Sequence, residues 1–210
     1  MEEIRQILAG LDWSPLFISI KTGIAAMIVS FFLGIWAARK VLKAKTGLRA
    51  VLDGILTLPL VLPPTVAGFF LLLIFSTRRT VGSYLYTTFD IKIVQSWAGC
   101  VIAATVIAFP LMYRNARAAF EQVPAAGPGV ASGTILAFAR ALGEYGATSM
   151  LAGNIPGKTA TISQRIAMVI QDGDYQTAGV WVGIVILIAF GIVVLMNLAF
   201  GKGMKHTKQW

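Results

Sequence analysis

Apolar residues in this chain gather into long runs, and polar residues are largely confined to the short stretches between them. The runs cover Phe17–Ala38, Leu52–Phe75, Val94–Tyr113, Gly129–Leu151 and Val180–Phe200. At 1.5 Å rise per residue, about 20 residues cross a hydrocarbon core roughly 30 Å thick. The pattern predicts an all-α integral membrane protein, a single domain over 1–210 with about five transmembrane helices. Two shorter patterns have helical spacing. Ile4, Ile7, Leu8 and Leu11 predict an interfacial helix within Glu2–Asp12. Ile162, Ile166, Val169 and Ile170 predict another between the fourth and fifth spans, stopped by Asp172-Gly173-Asp174.

The second run contains Pro59, Pro63 and Pro64 within Leu58–Thr65. Each proline removes a backbone donor and obstructs the helical ladder. In hydrocarbon the freed carbonyls need partners, so a broken helix at membrane depth is expected to line a pathway. This feature points to transport.

Basic residues set the orientation. Arg39, Lys40, Lys43, Lys45 and Arg49 follow span one, Arg114 and Arg117 follow span three, and Lys202, Lys205 and Lys208 lie in the tail. They outnumber Arg5, Arg78, Arg79, Lys92, Lys158 and Arg165 on the other side, which predicts the N-terminus outside and the C-terminus inside. The net charge of +9 reads as this topology signal and as a match to anionic membrane lipid, with no soluble domain to bind nucleic acid.

In span four, Arg140 and Glu144 are one turn apart and share a face. Counted from Gly129, Arg140 lies about 16 Å deep, where an unpaired charge costs about 2.5–3.5 kcal/mol. Two roles follow: a mutually neutralising pair that fixes packing, or a polar pathway in which Arg140 attracts an anion and Glu144 gates it. Asp53, near the inner end of span two, fits a snorkelling position beside Arg49. Gly129, Gly133, Ala137 and Ala141 recur every fourth residue, and Gly179 and Gly183 open span five. This spacing allows close helix approach and, with so few spans, suggests a homodimer around the pathway.

Composition agrees with the class: 57% of residues are hydrophobic, 13% are charged, and the mean hydropathy is +0.76. Soluble domains carry about 25% charged residues. No small-residue cleavage site follows the first run, so no removed signal peptide is expected. The single Cys100 excludes an intrachain disulfide and a thiolate metal cluster, and the single His206 stands in a basic tail without a second ligand or base. Gly157-Lys158-Thr159 matches only the end of a phosphate-binding loop. No cofactor, metal or catalytic residue is expected.

The segments Leu58-Pro59-Leu60-Val61-Leu62-Pro63-Pro64-Thr65-Val66-Ala67-Gly68, Phe138-Ala139-Arg140-Ala141-Leu142-Gly143-Glu144-Tyr145-Gly146-Ala147-Thr148 and Gly153-Asn154-Ile155-Pro156-Gly157-Lys158-Thr159 resemble the permease subunit of molybdate ABC importers. The first two also resemble sulfate permeases; the third is more similar to the molybdate and tungstate branch. The resemblance implies a multi-pass permease in a prokaryotic cell membrane, working as two copies by alternating access. Its partners would be a separate ATPase subunit inside and an extracytoplasmic molybdate-binding protein outside. It implies that Pro63, Pro64, Thr65, Gly68, Arg140, Glu144 and Thr148 face or support the pathway, and that Asn154, Pro156, Gly157 and Lys158 form an outer loop.

One departure stands out. Permeases of that family carry a coupling loop of a few tens of residues between spans three and four, with a Glu-Ala-Ala, Gly and Ile-x-Leu-Pro pattern. Here Phe120-Glu121-Gln122-Val123 runs almost directly into Pro124-Ala125-Ala126-Gly127-Pro128-Gly129, leaving Glu121 and Pro124 as flanks of the missing loop. The ATPase grips that loop, so three readings remain: an oxyanion importer for molybdate, tungstate or sulfate, an uncoupled membrane scaffold derived from one, and, least supported for want of catalytic residues, an intramembrane enzyme.

Overall fold

The computed structural model describes residues 2–121 and 126–201, and among them all regular structure is helical. The chain forms α1 (Glu2–Gly10), α2 (Ser14–Leu42), α3 (Thr46–Val61), α4 (Pro64–Phe75), α5 (Thr80–Phe89), α6 (Trp97–Glu121), α7 (Ala126–Leu142), α8 (Gly146–Ala152), α9 (Ile162–Gln171) and α10 (Tyr175–Gly201). The tail with Lys202, Lys205, His206 and Lys208, and Pro124, the other expected loop flank, lie outside the described residues.

Local chemistry accounts for several boundaries. The Asp12 carboxylate accepts from the Ser14 N–H (2.9 Å) and the Ser14 hydroxyl (2.8 Å), so α1 ends and α2 begins on a capped corner. Thr161 and Gln164 form a reciprocal capping box at the start of α9. That helix ends at Asp172, and Gly173 follows with φ +80°, a conformation suited to glycine. Both short helices thus stand where the periodicity places them.

Among the described residues, three single helices are long and apolar enough to cross a membrane: α2, α6 and the stretch Tyr175–Ile192 of α10. The α3–α4 pair meets the same measure only when taken together, and it is bent by 108°. The stretch read as span four is divided, because α7 closes at Leu142 and α8 opens at Gly146.

The core is built around α6. Its Ala104, Ala108, Met112, Tyr113 and Ala116 pack with Ala26, Ala37, Ala38 and Val41 of α2 and with Ala137 and Ala141 of α7. Small side chains let helix axes approach closely, and the gain is dispersion contact along the seam. A methyl group on Gly34 of α2 would come within 2.8 Å of Met112. On α7, one on Gly133 would meet Asn115 at 2.5 Å and one on Gly129 would meet Ala119 at 2.8 Å. The small-residue stripe of α7 is therefore spent within the chain, against α6. Gly179 and Gly183 of α10 have open space around them. The outer surface is apolar, with Phe32, Trp36, Val61, Leu187 and Phe190 all exposed, as a lipid-facing or partner-facing surface requires.

Candidate translocation site

Proline chemistry shapes the first half of the site. The residue before a proline is driven to extended backbone, and proline itself suits the first turn of a helix. Leu62 (ψ 142°) and Pro63 (ψ 134°) are accordingly extended, and Pro64 starts α4. The α3 ladder closes with the Leu62 N–H on Leu58 O, and α4 opens with the Val66 and Ala67 N–H groups on Pro63 O. The elbow between them is exposed at Pro63 and Thr65 and half-buried at Pro64. Pro59 lies within α3, so the carbonyl one turn earlier, on Ile55, loses its helical donor.

A buried acid shapes the second half. Glu144 is only 2% exposed and sits in the three-residue break between α7 and α8. One carboxylate oxygen accepts from Arg140 Nη1 at 2.9 Å, and the other accepts from the Ala147 N–H at 2.7 Å. The same side chain thus neutralises α7 and satisfies a free donor in the first turn of α8. Arg140 keeps a third of its side chain exposed, so the pair has an exposed end and a buried end. Thr148, further along α8, is buried.

The two halves meet where α4 crosses α8. A methyl group placed on Gly68 would lie 2.7 Å from the Ala147 Cα and 3.0 Å from its carbonyl oxygen. One placed on Gly146 would lie 3.1 Å from Pro64 Cβ and 3.2 Å from the Thr65 nitrogen. Ala67 and Leu71 of α4 share a buried cluster with Ala147 and Leu151 of α8. Pro64, Thr65 and Gly68 therefore lie beside the helix that Glu144 caps, although about eighty residues separate the segments in sequence.

The outer-loop residues stand apart from this crossing. Asn154, Pro156, Gly157 and Lys158 are exposed on a turn with Gly157 at φ +70°. The turn is anchored by fully buried Thr159, whose hydroxyl accepts from the Ile155 N–H at 2.9 Å.

A charged clasp joins α3 to the end of α6. Arg117 pairs with Asp53 and, at 3.2 Å, with Glu121; Arg49 pairs with Glu121; and the buried Tyr113 hydroxyl donates to Asp53. Asp53 therefore meets Arg117 and Tyr113, and the expected neighbour Arg49 turns to Glu121. Glu121, expected from the sequence to flank a missing loop, is itself part of the clasp.

Sequence reading passed over two further polar residues. Gln164 is buried and ties α9 to α8, donating to Ser149 Oγ (3.0 Å) and Gly153 O (2.9 Å). Its only sequence signal is the Thr161-x-x-Gln164 spacing of a capping box. Lys21 lies 4.1 Å from the centre of the Trp97 ring, and no local pattern brings those two together.

No family model matches the chain. Individual relatives do. The molybdenum transport system permease protein ModB of Escherichia coli strain K12 is 38% identical over 189 residues, covering 79% of this chain and 82% of its own. YvgM of Bacillus subtilis, also named for a molybdenum transport system permease, is 35% identical over 208 residues, covering 88% and 92%. The sulfate transport system permease protein CysT of Salmonella typhimurium is more distant, 29% identical over 212 residues, covering 86% and 76%. The 208 aligned positions with YvgM draw on only 88% of 210 residues, so roughly two dozen of them are filled by the relative alone. The E. coli comparison, 189 positions drawing on 79%, leaves a similar shortfall. Identity of this extent over most of both chains makes the chain a member of the molybdenum transport system permease family.

Proposed function

We propose that the chain is the membrane-spanning subunit of an ABC importer that moves molybdate into a prokaryotic cell. Two copies enclose the pathway, the N-terminus lies outside, and a separate ATPase subunit hydrolyses the nucleotide. An extracytoplasmic binding protein presents the ion. The observation that carries the reading is the α4–α8 crossing, where the proline elbow and the Glu144-capped break lie side by side. Both are interruptions of regular helix, which hydrocarbon tolerates only beside protein or a wetted cavity. Arg140, with its partly exposed guanidinium, supplies positive charge beside Glu144, and Pro63 and Thr65 present the exposed side of the elbow. The likeness to molybdenum permeases supports molybdate as the cargo, and the remoter likeness to a sulfate permease supports a tetrahedral dianion as its class.

A second reading is favoured by the shortfall of roughly two dozen aligned positions and by the brief connection between α6 and α7. If those positions are the coupling loop, the chain dimerises and folds without engaging an ATPase. The deciding experiment is molybdate uptake, at limiting molybdate, in cells lacking their own molybdate permease but supplied with the matching ATPase and binding protein. Uptake above the empty-vector level upholds the importer. Its absence, with the chain folded and in the membrane, leaves the uncoupled scaffold.

A further inference from the structure

We propose that the cleft bounded by the first turns of α2, the start of α6 and the 153–159 turn is a binding site for a tetrahedral oxyanion, held by Lys21 and Lys158. The cleft has a volume of about 420 Å³ and is lined by Ile18, Lys21, Gln95, Ser96, Trp97 and Lys158, with Gly157 completing the rim. Its lining shares no residue with the α4–α8 crossing, although the Gln95 N–H reaches Leu151 O at the far end of α8. Its lining contains two ammonium groups and no carboxylate.

The cleft is built, and its two exposed cations are placed by contacts with half-buried Trp97 and with a turn anchored on buried Thr159. Lys21 stands over the Trp97 ring at 4.1 Å, and the ring is fixed because its Nε1 donates to Thr22 Oγ1 at 3.0 Å. A ring face attracts an ammonium without neutralising it, and the three ammonium protons remain available to an anion. Lys158 is carried by a turn pinned at both ends. Its own N–H and that of Thr159 reach Ile155 O at 3.1 and 2.9 Å, and the Thr159 carbonyl accepts from the Cys100 thiol of α6 at 3.7 Å. Gly157 supplies the left-handed residue that the turn needs. The turn thereby keeps Lys158 beside the start of α6.

Among the described residues, the ion pairs all involve Arg49, Arg117 or Arg140, so neither lysine has a carboxylate partner. Ser96 is already engaged: its hydroxyl donates to Ile93 O at 2.7 Å and accepts from the Gly99 N–H at 3.3 Å. Recognition therefore rests on two point charges, with the Gln95 amide as a further donor. Two ammonium groups without a counter-ion match a dianion, and their freely rotating donors suit a tetrahedral oxygen shell more than a planar carboxylate. The same chemistry is offered by a soluble oxyanion and by a lipid phosphate. The choice of molybdate as the soluble probe rests on the permease reading above.

The test is equilibrium dialysis of radiolabelled molybdate against the purified chain in lipid-free, non-ionic detergent at low salt, beside native mass spectrometry of the chain with phosphatidylglycerol. The expected result is saturable molybdate binding, displaced by tungstate and by sulfate. Lys21→Gln and Lys158→Gln should each weaken it several-fold, their combination should abolish it, and the Lys21→Arg, Lys158→Arg pair should retain it. Lysine-dependent retention of phosphatidylglycerol without molybdate binding also upholds the site and identifies a lipid phosphate as its ligand. The proposal is overturned if neither ligand shows lysine dependence in variants that elute and melt like the parent. The permease reading is judged separately: uptake without lysine-dependent binding removes the site alone, and lysine-dependent oxyanion binding without uptake removes the transport role alone.

Discussion

Gly68 and Ala147 pack backbone against backbone, so closely that a single methyl group on Gly68 would fall 2.7 Å from the Ala147 Cα. The obstacle is main chain and cannot rotate away. Overpacking of this kind costs about 1–3 kcal/mol. Gly68→Ala should therefore lower the melting temperature in detergent and separate α4 from α8, measured by loss of a disulfide engineered across the crossing. Gly10→Ala, where nothing lies within 4 Å, is the matched control and should melt like the parent.

Arg140→Ala leaves the Glu144 carboxylate buried with only the Ala147 N–H for company. A hydrogen bond to a charged group contributes about 1.5–3 kcal/mol, and the loss here belongs at the low end because a third of Arg140 is exposed. Glu144→Gln keeps an acceptor for Ala147 and removes the charge, so it should be milder than Arg140→Ala. Thermal melts of the two variants and of their combination form a cycle. Additive losses would show that the two side chains act independently.

Tyr113→Phe removes one donor from Asp53 and leaves Arg117 in place, for a cost of about 0.5–1.5 kcal/mol. Asp53→Ala strands the buried hydroxyl of Tyr113 as well and should cost more. Cysteine accessibility at Leu52 or Leu56, introduced singly at positions packed against the α6 core, would report whether α3 then lifts from α6.

Two capping carboxylates give a pH dependence of known sign. The Ser14 backbone N–H, then its hydroxyl, holds Asp12 below the ordinary value of 3.8, and the Thr177 hydroxyl, then its N–H, does the same for Asp174. Their contribution is fully present above 3.8 and is lost as pH falls through the lower folded-state values. Melting differences between the parent and Asp12→Ala or Asp174→Ala should be constant above about pH 5 and shrink on further acidification. A difference growing toward acid would contradict these assignments.

If the unmatched positions lie between Glu121 and Gly127, inserting there the residues that YvgM carries should strengthen capture of the matching ATPase in a pull-down from detergent. An unchanged pull-down would locate the missing positions elsewhere.

Much of the helical layout was legible in local patterns. Spacing alone located α1 and α9, the prolines marked the elbow, and the Arg140–Glu144 pair follows from i,i+4 geometry. The details that depend on distant partners were not. Nothing near Glu144 says that its second oxygen would cap a new helix and divide an apolar run in two. The stripe from Gly129 to Ala141 suggested a second copy of the chain, yet its partner is α6, because a small-residue face does not specify which helix it meets. Asp53 found Arg117 across helices instead of its sequence neighbour Arg49, and Lys21 found Trp97. Each is a pairing between elements, which local pattern does not encode.

The α3–α4 elbow has a mechanical consequence. Its arms hold 16 and 12 residues, or about 24 and 18 Å at 1.5 Å per residue. Consecutive prolines at the corner have fixed φ, so the corner resists flexing more than an ordinary loop would. The corner joins the clasp at the middle of α3, where Asp53 meets Arg117, to the first turns of α4, where Gly68 meets α8. A displacement at one contact is expected to reach the other turned by 108°, as in a bell crank.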